Sequence, residues 1–239
     1  MSDDLETFMM TQPPTADRPL NGMTVLVVED SRFACEAMRL LCLRSGARIR
    51  RADCLKSARR HLQVYRPSVV IADLGLPDGS GTDLIKELAL ATPRVPVILG
   101  TSGDDHVEKA ALAAGADGFI AKPITSLAAF QAAVLSRLPA DQQPTGLRTV
   151  HDEVVEPDKM AYHDDMAHAA DVLNDQLGDQ VLDYLAQFVG GVARSAQDTA
   201  LARAADSLAA SRKRGGPVAT DMARIAGLVQ ERLEQKRAI

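Results

Sequence analysis

Five residues able to do chemistry stand at the ends of apolar stretches that are far apart in the chain. Glu29 and Asp30 follow the run Thr24 to Val28, and Asp73 closes the run that begins after Pro67. Thr101 follows the run Val95 to Leu99, and Lys122 follows Asp117 to Ala121. Three carboxylates brought close together repel one another. A hard divalent cation would relieve that repulsion, and magnesium suits one or two carboxylates completed by phosphate oxygens and water. A lysine and a threonine hydroxyl beside such a cation could contact a phosphoryl group. An aspartate carboxylate can attack phosphorus and form an acyl phosphate. Positioning and charge neutralisation do most of the work in such transfers.

These residues converge only if their strands lie parallel in one sheet. The β-branched run Thr24 to Val28 predicts a buried strand, and Ser31 is a good N-cap for a helix that carries Phe33, Ala37, Leu40 and Leu41 and stops at Gly46. Ala47 to Arg51 predicts a more polar edge strand, and Cys54 to Tyr65 a helix ended by Pro67. Residues 68–73 predict the central strand, buried on both faces. A loop with Pro77, Gly79 and Gly81 then leads to a helix over Asp83 to Ala91. Further strands are expected at 95–99 and 117–121, and helices at 104–114 and 127–138. Five alternations of strand and helix predict an α/β unit with a parallel sheet and helices on both faces. In such sheets ligands bind beyond the carboxyl ends of the strands.

Composition sets the frame. The chain has 239 residues, 46% hydrophobic and 25% charged, ordinary values for a globular protein of one large or two small domains. Aromatics are only 3%, so Leu, Val and Ala must build the core. A net charge of −5 argues against a nucleic-acid surface. The cysteines, Cys35, Cys42 and Cys54, are odd in number and lack a CxxC, which argues against a disulfide framework or zinc site; Cys35 and Cys42 read as small core residues. No apolar run reaches membrane-spanning length and the amino terminus lacks a signal pattern, so the expected compartment is cytoplasmic with no membrane partner.

Across about residues 23–138 the chain resembles the receiver (CheY-like) domain of two-component response regulators. Val-Leu-Val-Val-Glu29-Asp30-Ser is similar to the family's first acidic pair, and Asp73 with Pro77 and Gly81 to its phosphoacceptor loop. Pro96-Val97-Ile98 followed by Thr101 is similar to its switch strand, and Gly115 to Pro123 to its closing Lys-Pro segment. The resemblance implies a flavodoxin-like five-stranded parallel sheet of order 2-1-3-4-5. It implies Asp73 as phosphoacceptor, and Mg2+ held by Asp30, Asp73 and the Gly75 carbonyl, with Glu29 acting through water. It implies that Thr101 and Lys122 contact the phosphoryl group, and that Thr101 and Phe119 form the switch. The expected donor is a sensor histidine kinase or a phosphotransfer protein. The expected activity is at most self-phosphorylation and autodephosphorylation. Ser102 stands where the family usually has a small alanine, and Phe119 where it often has tyrosine.

The chain is expected to divide into a disordered tail (1–21), the receiver (22–138), a linker (139–157) and a helical domain (158–239). Stripes through Met166, Ala169, Leu173 and Leu177, through Leu182, Leu185, Phe188, Val189 and Val192, through Leu201, Ala205 and Leu208, and through Met222, Ile225, Val229 and Leu233 predict a four-helix bundle. Gly178, Gly190-Gly191 and Gly215-Gly216-Pro217 are expected at or near breaks. Ala204 to Ser211 faintly resembles the active helix of histidine-phosphotransfer domains, with Asp206 where their histidine stands and Ala209 and Ala210 in place of Lys-Gly. That implies a phosphotransfer fold without its activity, a docking or dimerisation module; an ordinary Ala-rich bundle remains the alternative. No basic recognition helix is present. The expected output is therefore an unidentified protein partner or a second copy of the chain. The alternatives are a transcription regulator with an atypical helical DNA-binding half, or a relay through His168.

Overall fold

In the computed structural model, residues 13–139, 143, 153–174 and 178–235 are described. Strands β1 (Thr24–Val28), β2 (Arg48–Ala52), β3 (Val69–Asp73), β6 (Val97–Ser102) and β7 (Gly118–Ala121) form one parallel sheet in the order β2-β1-β3-β6-β7. Strands β4 (Gly75–Leu76) and β5 (Gly79–Ser80) form a separate small antiparallel hairpin directly after β3. Counting the main sheet alone, the order is the expected 2-1-3-4-5.

The alternation of side chains along each strand feeds two cores. Val25, Val27, Val69, Ile71, Val97 and Leu99 face one layer, closed by helices α1 (Arg32–Arg44) and α5 (Leu127–Leu135). Leu26, Val28, Val70, Ala72 and Ile98 face the other, closed by α2 (Leu55–Val64), α3 (Gly81–Leu90) and α4 (Glu108–Ala113). Each fully buried Val, Leu or Ile is worth about 1.5–3 kcal/mol. β2 has the polar, exposed pattern of an edge, as its sequence Arg-Ile-Arg-Arg-Ala predicts.

Helices α6 (Lys159–Asn174), α7 (Asp179–Ser195), α8 (Thr199–Lys213) and α9 (Ala219–Gln235) enclose a third core that contains Met166, Leu185, Phe188, Leu201, Leu208, Ile225 and Val229. The predicted stripes are therefore the buried faces, save Leu177, which lies outside the described residues. Gly190 and Gly191 do not break a helix. They lie inside α7, where the neighbouring Val189 and Val192 are buried and hold the helix through them. Several boundaries also differ: β6 runs on to Ser102, α3 starts at Gly81, and the segment before α4 is a short 3-10 turn over Asp105–Val107.

Two segments expected outside the folded units are partly packed. Leu20 is fully buried and its N–H bonds Ser45 O, so the chain is anchored before β1. Residues 1–12 of the expected tail lie outside the described residues. In the expected linker, Val155 is buried in the first core and its N–H bonds Thr125 O, while Leu127 N donates to Glu153 O; most of residues 140–152 lie outside the described set. Among the described residues no helix is long and apolar enough to cross a membrane.

Candidate functional site

β1, β3 and β7 deliver their terminal residues to one edge of the sheet. Glu29 and Asp30 come directly after β1, and Asp73 is the last residue of β3, in register with Thr101 on β6. Lys122 follows β7. The loop after β3 turns tightly: a Cβ on Gly81 would lie 1.9 Å from the Asp73 carbonyl oxygen, so only glycine fits that close approach.

The result is a buried acidic pocket. Ligating oxygens of Glu29, Asp30 and Asp73 all lie within 4.8 Å of one another. Lys122 Nζ is 2.6 Å from Glu29 Oε2 and 3.3 Å from Asp73 Oδ2, with its side chain 5% exposed. Burial pushes the Glu29 carboxyl well up, opposed by Lys122 and reinforced by Asp73 and Asp30. Burial likewise raises Asp73, opposed by Lys122 and by the Leu74 and Gly75 N–H groups that bond its carboxylate. Asp30 is pushed up to about 7 by burial and by the nearby Asp73. Burial alone would lower Lys122, but attraction to Asp73 and Glu29 outweighs it and the net shift is upward. One lysine thus faces three acids, an excess of negative charge in a site of low dielectric. An all-oxygen donor set of this kind suits a hard cation, and a magnesium ion fits it.

The residues expected to form the switch are placed differently. The fully buried Thr101 donates its hydroxyl to Ile120 O at 2.8 Å, which occupies it away from the acids. Phe119 packs against the second core, beside Gly100. Ser102, which follows Thr101, accepts a hydrogen bond from Asp104 N. Gly75 sits two residues beyond Asp73 in the β4–β5 hairpin.

The helical half lies across this edge, which nothing in the sequence pattern announced. Asp165 of α6 is 1% exposed and caps α1 from outside. Its carboxylate accepts from Ser31 Oγ at 2.7 Å, Arg32 N at 2.7 Å and Phe33 N at 3.0 Å. Ser31 in turn caps Ala34 N, so the first amides of α1 are satisfied. Burial raises the Asp165 carboxyl and the three donors hold it back. Tyr162 meets Phe33 edge to face at 5.9 Å. From α7, Tyr184 Oη donates to Asp30 Oδ2 at 2.8 Å, and Gln187 packs on Gly75. His168 Nε2 lies 3.2 Å from Tyr184 Oη, which links it to Asp30 and not to Asp73. Asp206 is exposed and paired with Arg194. An aspartate in mid-helix and one of only three tyrosines were the available sequence signals for these contacts. Neither signal names a partner more than a hundred residues away.

The sequence model of the response regulator receiver domain matches residues 25–134. The chain is 32% identical to the KDP operon transcriptional regulatory protein KdpE of Escherichia coli over 99 residues, 41% of this chain and 44% of that protein. It is 32% identical to the virulence transcriptional regulatory protein PhoP of Salmonella typhimurium over 102 residues, 42% of this chain and 46% of that one. The chain spans about half the length of the curated relatives it matches. Among solved structures, a response regulator protein from Burkholderia pseudomallei is similar at 27% identity and a TM-score of 0.41, over 50% of this chain and 68% of that one. The likeness to a histidine-phosphotransfer domain has no counterpart among these findings. Residues 25–134 are a response regulator receiver domain of two-component signalling, and a helical region follows it.

Proposed function

We propose that Asp73 accepts a phosphoryl group from a sensor histidine kinase or a phosphotransfer protein, and that this changes how the helical region sits on the receiver. The observation that carries the reading is the pocket itself: Asp73 is buried beside Lys122 and two further acids, at the sheet edge where the helical region is bonded to Asp30. An Asp73 oxygen would bond phosphorus as the phosphorus–nitrogen bond of the donor phosphohistidine breaks. Lys122 would pair with the phosphoryl oxygens. Glu29, through a water, would hold Mg2+ together with Asp30, Asp73 and the Gly75 carbonyl. The cation supplies neutralisation of the added charge. Thr101 would leave Ile120 O for the phosphoryl group, and Phe119 would move into the space behind it. The receiver unit would span 22–138 and the helical unit 158–239. The helical half would act on a protein partner: of the short basic run Arg212-Lys213-Arg214 at the end of α8, Arg212 is already paired with Asp179 and Asp183. The curated relatives are transcription regulators matched over the receiver alone, and they assign this half no output.

Beryllofluoride, a phosphoryl mimic, tests the reading. With Mg2+ it should raise the melting temperature of the chain by several degrees and leave Asp73→Asn unmoved. Equal shifts in both proteins would overturn it. A pH dependence follows from the acids. A carboxyl whose folded value lies above its ordinary 3.8 contributes stability at low pH that is lost as pH rises through the folded value, here about 7 for Asp30. Without metal the melting temperature should therefore fall between about pH 5 and 8. Mg2+ should restore more of it at pH 8 than at pH 6, and an equal gain at both would count against carboxylate ligation.

A further inference from the structure

The reading of Asp73 as phosphoacceptor leaves open what ends the phosphorylated state, and α7 bears on that. Gln187 lies one turn after Tyr184, which is tied to Asp30. Its carboxamide rests against Gly75, two residues past Asp73: a Cβ on Gly75 would fall 2.0 Å from Gln187 Nε2 and 2.5 Å from Oε1. Glycine at 75 is thus what admits the amide to the floor of the site. The side chain is exposed, and among the described residues its amide makes no hydrogen bond. It lines an open cleft of about 840 Å³ whose receiver wall is Ser102, Gly103, Asp104, His106 and Val107, beginning directly after Thr101, the strand partner of Asp73. An exposed carboxamide therefore stands against the loop that follows Asp73, at the margin of an open cleft, with its donor and acceptor free. A carboxamide can accept from an attacking water and donate to a phosphoryl oxygen, as glutamine does in phosphoryl hydrolysis by GTPases.

We propose that Gln187 orients the water that hydrolyses the Asp73 phosphoryl group, so that the helical half sets the lifetime of the signal in cis. The water oxygen bonds to phosphorus as the bond from Asp73 Oδ to phosphorus breaks. Orthophosphate leaves as dihydrogen phosphate, carrying both hydrogens of the water, and the Asp73 carboxylate is regenerated. The inference rests on Asp73 as the acceptor. Gln187→Met keeps the bulk and helix preference of the side chain and removes the amide.

The full chain would be loaded with acetyl phosphate and Mg2+, freed of donor, and followed by intact mass. The half-life of the phosphorylated form should lengthen about 10- to 100-fold in Gln187→Met, the scale lost with a positioning contact. The rate of loading and the melting temperature should stay as in the wild type, since a merely structural role would move loading and loss together. Loading at Asp73 followed by equal half-lives would overturn the role of Gln187 and leave the acceptor reading standing. No loading of the wild type at Asp73 would instead overturn the acceptor reading itself.

Discussion

Lys122→Met is expected to destabilise the receiver by about 3–5 kcal/mol at pH 8, the cost of breaking a buried ion pair by removing one partner. The lysine side chain is 5% exposed and touches Glu29 and Asp73, whose own side chains are 1% and 8% exposed. Removing it leaves three acids facing one another without a cation. They can escape only by binding protons, so the loss should be smaller at pH 5.5, where the uncharged forms of these already raised carboxyls are favoured. Added Mg2+ should recover part of the loss at pH 8. Urea unfolding at the two pH values measures this directly. A change below about 1 kcal/mol at both would mean that the lysine is no more than a surface-type pair.

Asp165→Ala should loosen the helical region from the receiver by about 3 kcal/mol. The carboxylate serves three donors of the α1 amino end, and hydrogen bonds to a charged group contribute about 1.5–3 kcal/mol each before water replaces them. A negative charge at a helix amino end adds a further few tenths to about 1 kcal/mol. The nearby Arg32–Asp164 pair is exposed and cannot compensate. Amide exchange at Arg32 and Phe33 reads the contact, and both should exchange about 100-fold faster in the variant. Unchanged protection would show that α1 keeps its cap without α6. Since Tyr184 bonds Asp30 and Gln187 packs on Gly75 from the adjoining α7, the same variant should also lengthen the life of any phosphoryl group on Asp73.

The sheet and its pocket were legible because each signal is local. Val-Leu-Val-Val and Val-Val-Ile-Ala alternate between two buried faces, and each run ends on its acid. Parallel pairing then has little freedom but to gather Glu29, Asp30, Asp73 and Lys122. Three features were not local. The hydroxyl of Thr101 is bonded to Ile120 O, a partner set by strand neighbours and not by the residue type. Gly190-Gly191 looks like a break, yet packing of Val189 and Val192 overrides the weak helix preference of glycine. Docking of the bundle rests on Asp165 and Tyr184, single polar residues whose partners lie more than a hundred residues away in the chain. No periodicity marks such contacts.

The central claim is that a phosphoryl group goes to Asp73. Borohydride reduces an acyl phosphate and leaves a free carboxylate alone, so it can mark the acceptor after exposure to acetyl phosphate and Mg2+. Peptide mapping should find the mark on Asp73 and on no other residue, and should find none when Mg2+ is withheld. Marking of a different carboxylate, stable phosphate on His168, or equal marking in Asp73→Asn would contradict the account.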